Sequence, residues 1–321
     1  MVVDELLTKA THPLLKDLLE SYKQETSISE IFAMTGSFLC SSFGGSQERA
    51  DFVGKVLQSF FFASSVHDDA VDVYDKKKQD YPIPLRIILG DMFFVSLAKY
   101  LAFATEDISL PDAQRAIEKL VGFLRTIGKY QVLERKDKIR TEVEAFSHTL
   151  YLGAIQGRMA AEFGAVLGKT AQEEDITQIG DVCEKFFLIL TIQDDLADLI
   201  DDLANGVFTW PVCWLFERKD EFLTHQKLSK EDVNLLTSGI NQRKILDAQA
   251  VYLMLKKTGT FDMVKQKVKI TQKEALELLN HLAERRKEQG AMKWFILENA
   301  FQFLPGAIER TLGELEKKLS L

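Results

Sequence analysis

Cysteine and proline are scarce in this chain, and each shortage removes a class of fold. The 3 cysteines, Cys40, Cys183 and Cys213, are odd in number and far apart. Such spacing builds neither a disulfide framework nor a zinc site, so free thiols in a reducing compartment are expected. With 6 prolines and 18 glycines, few points would interrupt a helix, and no run alternates apolar with polar residues as a strand would. No apolar stretch approaches the roughly 20 residues of a membrane-crossing helix. The start, Met1-Val2-Val3-Asp4-Glu5, lacks the basic flank and apolar centre of a secretory signal. Positive charge is short as well: a net charge of -8 without a basic cluster argues against a nucleic-acid partner held through its phosphates. A soluble cytoplasmic protein with no transmembrane segment is expected.

What the chain does have is apolar residue at helical spacing. Hydrophobic residues make up 46% of 321 positions, enough for a sizeable core. Periodic apolar faces predict helices over Val3 to Tyr22, broken near Pro13, then over Ile28 to Ser42, Gln47 to Tyr74, Leu85 to Thr105 and Pro111 to Ile127. Further helices are expected over Thr141 to Leu167 and Gln172 to Ala204, the second opened by Thr170 and Glu173 as a T-x-x-E capping box. Ser229 with Asp232 marks another start. Charged amphipathic helices continue to the end without linker or repeat, so an all-α fold of one domain, residues 1–321, is predicted.

Against this background stand two carboxylate clusters, Asp68-Asp69-Ala70-Val71-Asp72 and Asp194-Asp195-Leu196-Ala197-Asp198. Each reads D-D-x-x-D. Positions i and i+4 share a helix face, so Asp68 with Asp72 and Asp194 with Asp198 form acidic stripes. Like charges so placed repel unless a cation lies between them, and magnesium, which takes oxygen ligands, fits. Both clusters end apolar runs, Phe60 to Val66 and Phe186 to Ile192. A single cluster of this kind reads as a solvated helix end; two copies in matching contexts point to helices whose ends open into a polar site.

These motifs, together with Gly90-Asp91-Met92-Phe93-Phe94 and Gly206-Val207-Phe208-Thr209-Trp210-Pro211, resemble the trans-isoprenyl diphosphate synthases, or polyprenyl synthetases. The likeness runs from about Phe60 to Pro211. It implies a helical bundle of the isoprenoid synthase type around a deep apolar cavity, the two motifs facing across its mouth and holding three magnesium ions on the diphosphate of an allylic substrate. By the resemblance, the catalytic carboxylates are Asp68, Asp69, Asp72, Asp194, Asp195 and Asp198, with Asp68, Asp72 and Asp194 as direct metal ligands. Gln193 and the pair Lys77 and Lys78 match substrate-binding positions, though the lysines also read as a solvated loop. Phe60, Ala63 and Ser64 fall where product length is set, which predicts a product longer than farnesyl, stopped near Phe60. A homodimer is implied too.

Several matches fail, and they concern the second substrate, isopentenyl diphosphate. Ser27-Ile28-Ser29-Glu30 stands where the family has a G-G-K-R element. The family's Lys-Thr pair falls either on Leu152-Gly153 or on Arg158-Met159, and the lysine of its G-K-x-T-x-P element is Val207. Lys23 or Lys169 could substitute. Three readings are open: a prenyltransferase that extends an allylic diphosphate with isopentenyl diphosphate; a class I terpene synthase or lyase that needs one diphosphate; and a non-catalytic subunit of a heteromeric synthase.

Overall fold

The computed structural model describes residues 27–71, 82–103, 108–136, 141–242, 246–286 and 291–319, with a few positions between 13 and 20; at some helix ends only the backbone is described. Every regular element among the described residues is helical. In chain order these are α1 (Ser27–Ser42), α2 (Gln47–Val71), α3 (Ile83–Phe103), α4 (Leu110–Lys136), α5 (Glu142–His148), a π-helical segment (Thr149–Ala154), α6 (Ile155–Leu167), α7 (Glu173–Ala197), α8 (Leu199–Asn205), α9 (Trp210–Glu217), α10 (Lys219–Thr224), α11 (Lys230–Gln242), α12 (Ala248–Thr258), α13 (Thr260–Arg285) and α14 (Ala291–Lys318). Two compact units result: Met1–Gly122 with Met159–Gly180, and Phe123–Arg158 with Asp181–Leu321.

In the first unit, α1 and α2 form a hairpin whose turn needs glycine. Gly44 has φ +84, and a Cβ on Gly45 would lie 2.5 Å from the sulfur of Cys40. Leu39, Val53, Leu57, Phe60, Ala63 and Val66 are buried within it, with Leu89 and Phe93 supplied by α3. Burying each such side chain contributes about 1.5–3 kcal/mol. A Cβ on Gly164 of α6 would sit 2.3 Å from the carbonyl oxygen of Gly36 on α1, so these helices cross with their backbones touching. The buried Arg49 donates to the Leu167 carbonyl at 3.1 Å, satisfying an end of α6.

The second unit is organised around α13 and α14. Pro305 lies inside α14 and has no N–H for the carbonyl of Phe301 one turn earlier. The amide of Gln272 on α13 replaces that donor, reaching the Phe301 oxygen at 2.9 Å. Phe186 of α7 packs edge-on against Phe301, centroids 5.2 Å apart. Glu142 and Glu217 join α5 to α9: the Glu142 N–H donates to Glu217, while Arg218 donates to Glu142, each at 2.7 Å.

The expected helices are present wherever residues are described, with two corrections. Thr170 does not stand at the N-cap of α7, which begins at Glu173. Its hydroxyl and N–H both donate to the Phe43 carbonyl, each at 2.9 Å, and α7 is opened instead by the Gln172 N–H donating to Asp175 at 3.0 Å. The predicted helix Gln172 to Ala204 is interrupted at Asp198, whose φ of -94 and ψ of 4 leave the helical region. By contrast, Ser229 and Asp232 cap α11 reciprocally, at 2.8 and 3.1 Å. All three cysteines are free and buried, as expected. Val3 to Lys9 and Tyr22 lie outside the described residues.

Candidate active site

The end of α7 gathers acid faster than it gathers compensation. Asp194, Asp198 and Asp202 succeed one another at i+4, with Asp195 and Asp201 beside them. The helical ladder survives the interruption: the Asp198 N–H donates to the Asp194 carbonyl and the Asp202 N–H to the Asp198 carbonyl, both at 2.9 Å. The stripe therefore stays continuous. Burial, and then repulsion from Asp198, raises the pKa of Asp194; burial and then Asp201 raise that of Asp198, against a lowering pull from Lys318. Burial drives Asp195 and Asp202 further, each to about 7, with neighbouring aspartates adding to the effect. A group of hard oxygen donors that holds protons against its own repulsion suits a divalent cation, which would take the protons' place.

The carboxylates differ in what they face. Asp194 and Asp198 reach solvent while their carboxyl groups stay partly desolvated. Asp195 is engaged, accepting from the Thr149 hydroxyl at 3.1 Å, with His148 lowering its pKa electrostatically. It anchors α7 to the start of the π-helical segment. Among the described residues no three His, Cys, Asp or Glu side chains form a metal centre by themselves.

The π-helical segment fits against the turn preceding this stripe. A Cβ on Gly153 would lie 2.0 Å from the hydroxyl of Thr191, three residues before Asp194. Only glycine allows that approach. A π turn holds one more residue than an α turn and shifts the register of the next turn, a distortion frequent at functional sites.

In the first unit, Phe60 is 2% exposed and meets Phe94 of α3 edge-on at 6.3 Å, Ala63 is fully buried, and Ser64 is half-buried. Phe61 stacks on Phe32 at 4.7 Å and Phe62 on Phe93 at 5.3 Å, so both belong to helix packing. The side chains of Asp68 and Asp69, and the whole of Asp72, Lys77, Lys78 and Lys23, lie outside the described residues.

No family model matches the chain. Among curated proteins it is similar to geranylgeranyl diphosphate synthase of Sulfolobus acidocaldarius, 24% identical over 181 residues, or 52% of this chain and 54% of that protein. The match spans about half the length of that relative. Among solved structures, geranylgeranyl pyrophosphate synthetase from Pyrococcus horikoshii aligns over 95% of this chain and 94% of its own, with TM-score 0.69 and 18% identity. A polyprenyl synthase from Caulobacter crescentus, complexed with calcium and isoprenyl diphosphate, aligns over 96% and 93% with TM-score 0.68 and 16% identity. This chain has the fold of the isoprenyl diphosphate synthases.

Within the isoprenyl diphosphate synthase fold, the departures seen in the sequence acquire locations. Arg158, one of the two candidates for the family's middle-helix cation, is ion-paired with both Asp181 and Glu184. Glu184 precedes Asp194 by ten residues on α7, about 15 Å along the axis. The other candidate, Leu152 of the π-helical segment, carries no charge. Glu30 lies in the first turn of α1, where a carboxylate suits the helix dipole. Val207 is 39% exposed, comes after left-handed Gly206 and donates its N–H to the Asp202 carbonyl at 2.8 Å. Lys169 is exposed in the turn before α7. Sequence reasoning passed over Asp202, although its i+4 spacing from Asp198 was visible, and over Thr149 and His67, whose partners are remote in sequence.

Proposed function

We propose that this chain is a magnesium-dependent prenyltransferase, acting as one domain, that ionises an allylic prenyl diphosphate and condenses it with isopentenyl diphosphate. The observation that carries the reading is the carboxylate stripe Asp194, Asp198, Asp202, poorly compensated and raised in pKa, at the end of an apolar helix in this fold. Asp194 and Asp198, with Asp68 and Asp72 from the first motif, would hold the metal; three ions are expected from the resemblance. Bound magnesium supplies Lewis-acid stabilisation of the charge gathering on the departing diphosphate. Asp195, held by Thr149, keeps the last turn of α7 in place while its neighbours bind. As the carbon–oxygen bond breaks, its electron pair leaves with the diphosphate. The double bond of isopentenyl diphosphate then attacks the allylic carbon, and loss of a proton restores a double bond. The apolar residues that precede each motif shelter the cation from water.

The Caulobacter polyprenyl synthase, complexed with calcium and isoprenyl diphosphate, supports a divalent cation and this substrate class. Phe60, with Ala63 and Ser64, is proposed to stop the growing chain, and Gln193, Lys77 and Lys78 to contact diphosphate. A homodimer in the cytoplasm completes the reading. The lyase remains a second reading, favoured by a specific observation: Leu152 and Val207 stand at cation positions, and Arg158 is ion-paired with Asp181 and Glu184.

Incubation with magnesium and farnesyl or geranylgeranyl diphosphate, with and without isopentenyl diphosphate, separates the two. Longer diphosphates formed only with isopentenyl diphosphate support the transferase. Hydrocarbons or alcohols formed without it move the assignment to the lyase. Asp68→Ala and Asp194→Ala should each lower either activity by about 100-fold or more, in the range seen on removing a group that stabilises transition-state charge; full turnover in both would defeat the metal site.

A further inference from the structure

His67 directly precedes the first acidic motif, and its surroundings are built for it. Its ring rests on α3 against Gly90, where a Cβ would lie 2.3 Å from the ring carbon Cδ2 and 2.4 Å from Nε2. Glycine at 90 is therefore a seat for this ring. Nε2 faces two oxygens, the Asp91 carboxylate and the Ile87 carbonyl, each at 3.3 Å. Both are acceptors, so Nε2 carries the proton and donates. Phe94 closes the other side, its centroid 5.4 Å from that of the imidazole. Three residues of α3 and one backbone carbonyl thus hold a single side chain on the last described turn of α2, which continues as helix through Asp68 and Asp69 to Val71.

We infer that His67 is a positioning residue for the metal-binding carboxylates of the first motif, acting through its clamp on Gly90 and Asp91. This rests on the prenyl diphosphate reading above. A helix end frays unless something beyond its own hydrogen bonds retains it. Carboxylates at such an end bind a cation well only if the turn carrying them is already in place, because ordering the turn on binding subtracts from affinity. The clamp provides that order from a neighbouring helix, one residue before Asp68. Gly90 admits the ring, and the Asp91 carboxylate accepts its hydrogen bond.

The test is thermal stabilisation of the purified protein by magnesium titrated at a fixed saturating concentration of inorganic diphosphate, read as the magnesium concentration giving half the maximal shift. Removing a group that orients metal ligands weakens metal binding by about 10–100-fold. His67→Ala and Gly90→Ala, which act from opposite sides of one contact, should each raise the midpoint at least tenfold. Asp91→Asn should raise it less, and His67→Ala/Asp91→Asn should be no worse than His67→Ala alone. Magnesium should recover full stabilisation in every variant at high concentration. A wild-type midpoint in folded His67→Ala or Gly90→Ala, whatever the change in melting temperature, overturns the inference and leaves the functional reading intact. If wild type is not stabilised by magnesium with diphosphate, the functional reading fails and takes the inference with it.

Discussion

A carboxyl group that keeps its proton near neutral pH favours the folded state only while the proton remains. Asp195 and Asp202 have pKa values of about 7 in the fold against an ordinary value of 3.8. The folded state therefore binds their protons more tightly than the unfolded chain does, and the contribution is full below about pH 4 and lost as pH rises through about 7. The metal-free protein should melt at progressively lower temperature between about pH 5 and pH 8. Asp195→Asn and Asp202→Asn should each flatten that slope, and magnesium with diphosphate should offset it at its alkaline end. A melting temperature that rises over this interval would contradict the environment assigned to these groups. Burial leads for both residues, but each also feels the other aspartates, so the double variant should change less than the sum of the singles. A different residue-scale test concerns Gly153. Alanine there meets Thr191 and should cost about 1–3 kcal/mol by overpacking, less in a Thr191→Ala background, as denaturant titration would show.

At the scale of elements, α14 holds a proline and stays helical because α13 supplies the missing donor. Gln272→Leu would leave the Phe301 carbonyl without its side-chain partner, at a cost of about 1–3 kcal/mol. In a Pro305→Ala background the restored N–H serves that carbonyl, so the same substitution should cost measurably less; equal costs would show that the Gln272 contact is incidental. How much of such an element is legible beforehand depends on whether the deciding partner is nearby in sequence. Ser229 and Asp232 lie three apart and cap α11 as their spacing predicts. Thr170 looked just as good, but Phe43, 127 residues away, claims its hydroxyl. The interruption at Asp198 and the π-helical turn at Thr149–Ala154 carry no proline, and no composition marks them; crowded carboxylates accompany the first and the approach of Gly153 to Thr191 the second. The helical stripe of the second acidic motif was legible because it is short and periodic; the side chains of the first lie outside the described residues. The fate of Arg158 was not legible, since only packing reveals that Asp181 and Glu184 neutralise it.

On the scale of the whole molecule, α3 presents Ile83, Ile87, Ile88 and Val95 to solvent, the last 70% exposed. A proposed homodimer would cover such residues. Light scattering during size-exclusion chromatography should give twice the 36.5 kDa of one chain, and Ile88→Glu/Val95→Glu should reduce it to that of one; a wild-type monomer would remove the dimer from the proposal. Among the described residues no helix is long and apolar enough to cross a membrane. The crossing of α1 and α6 at Gly36 and Gly164 has a consequence of another kind. There the obstacle to any added atom is main chain, which cannot rotate aside, so even alanine at 164 forces the helices apart. In a living cell such a change would act through quality control: chaperones and proteases remove the unfolded fraction, and abundance falls severalfold for a loss of about 1–2 kcal/mol. The molecules that survive would turn over at the ordinary rate. A strain carrying Gly164→Ala would thus resemble one with a weakened promoter.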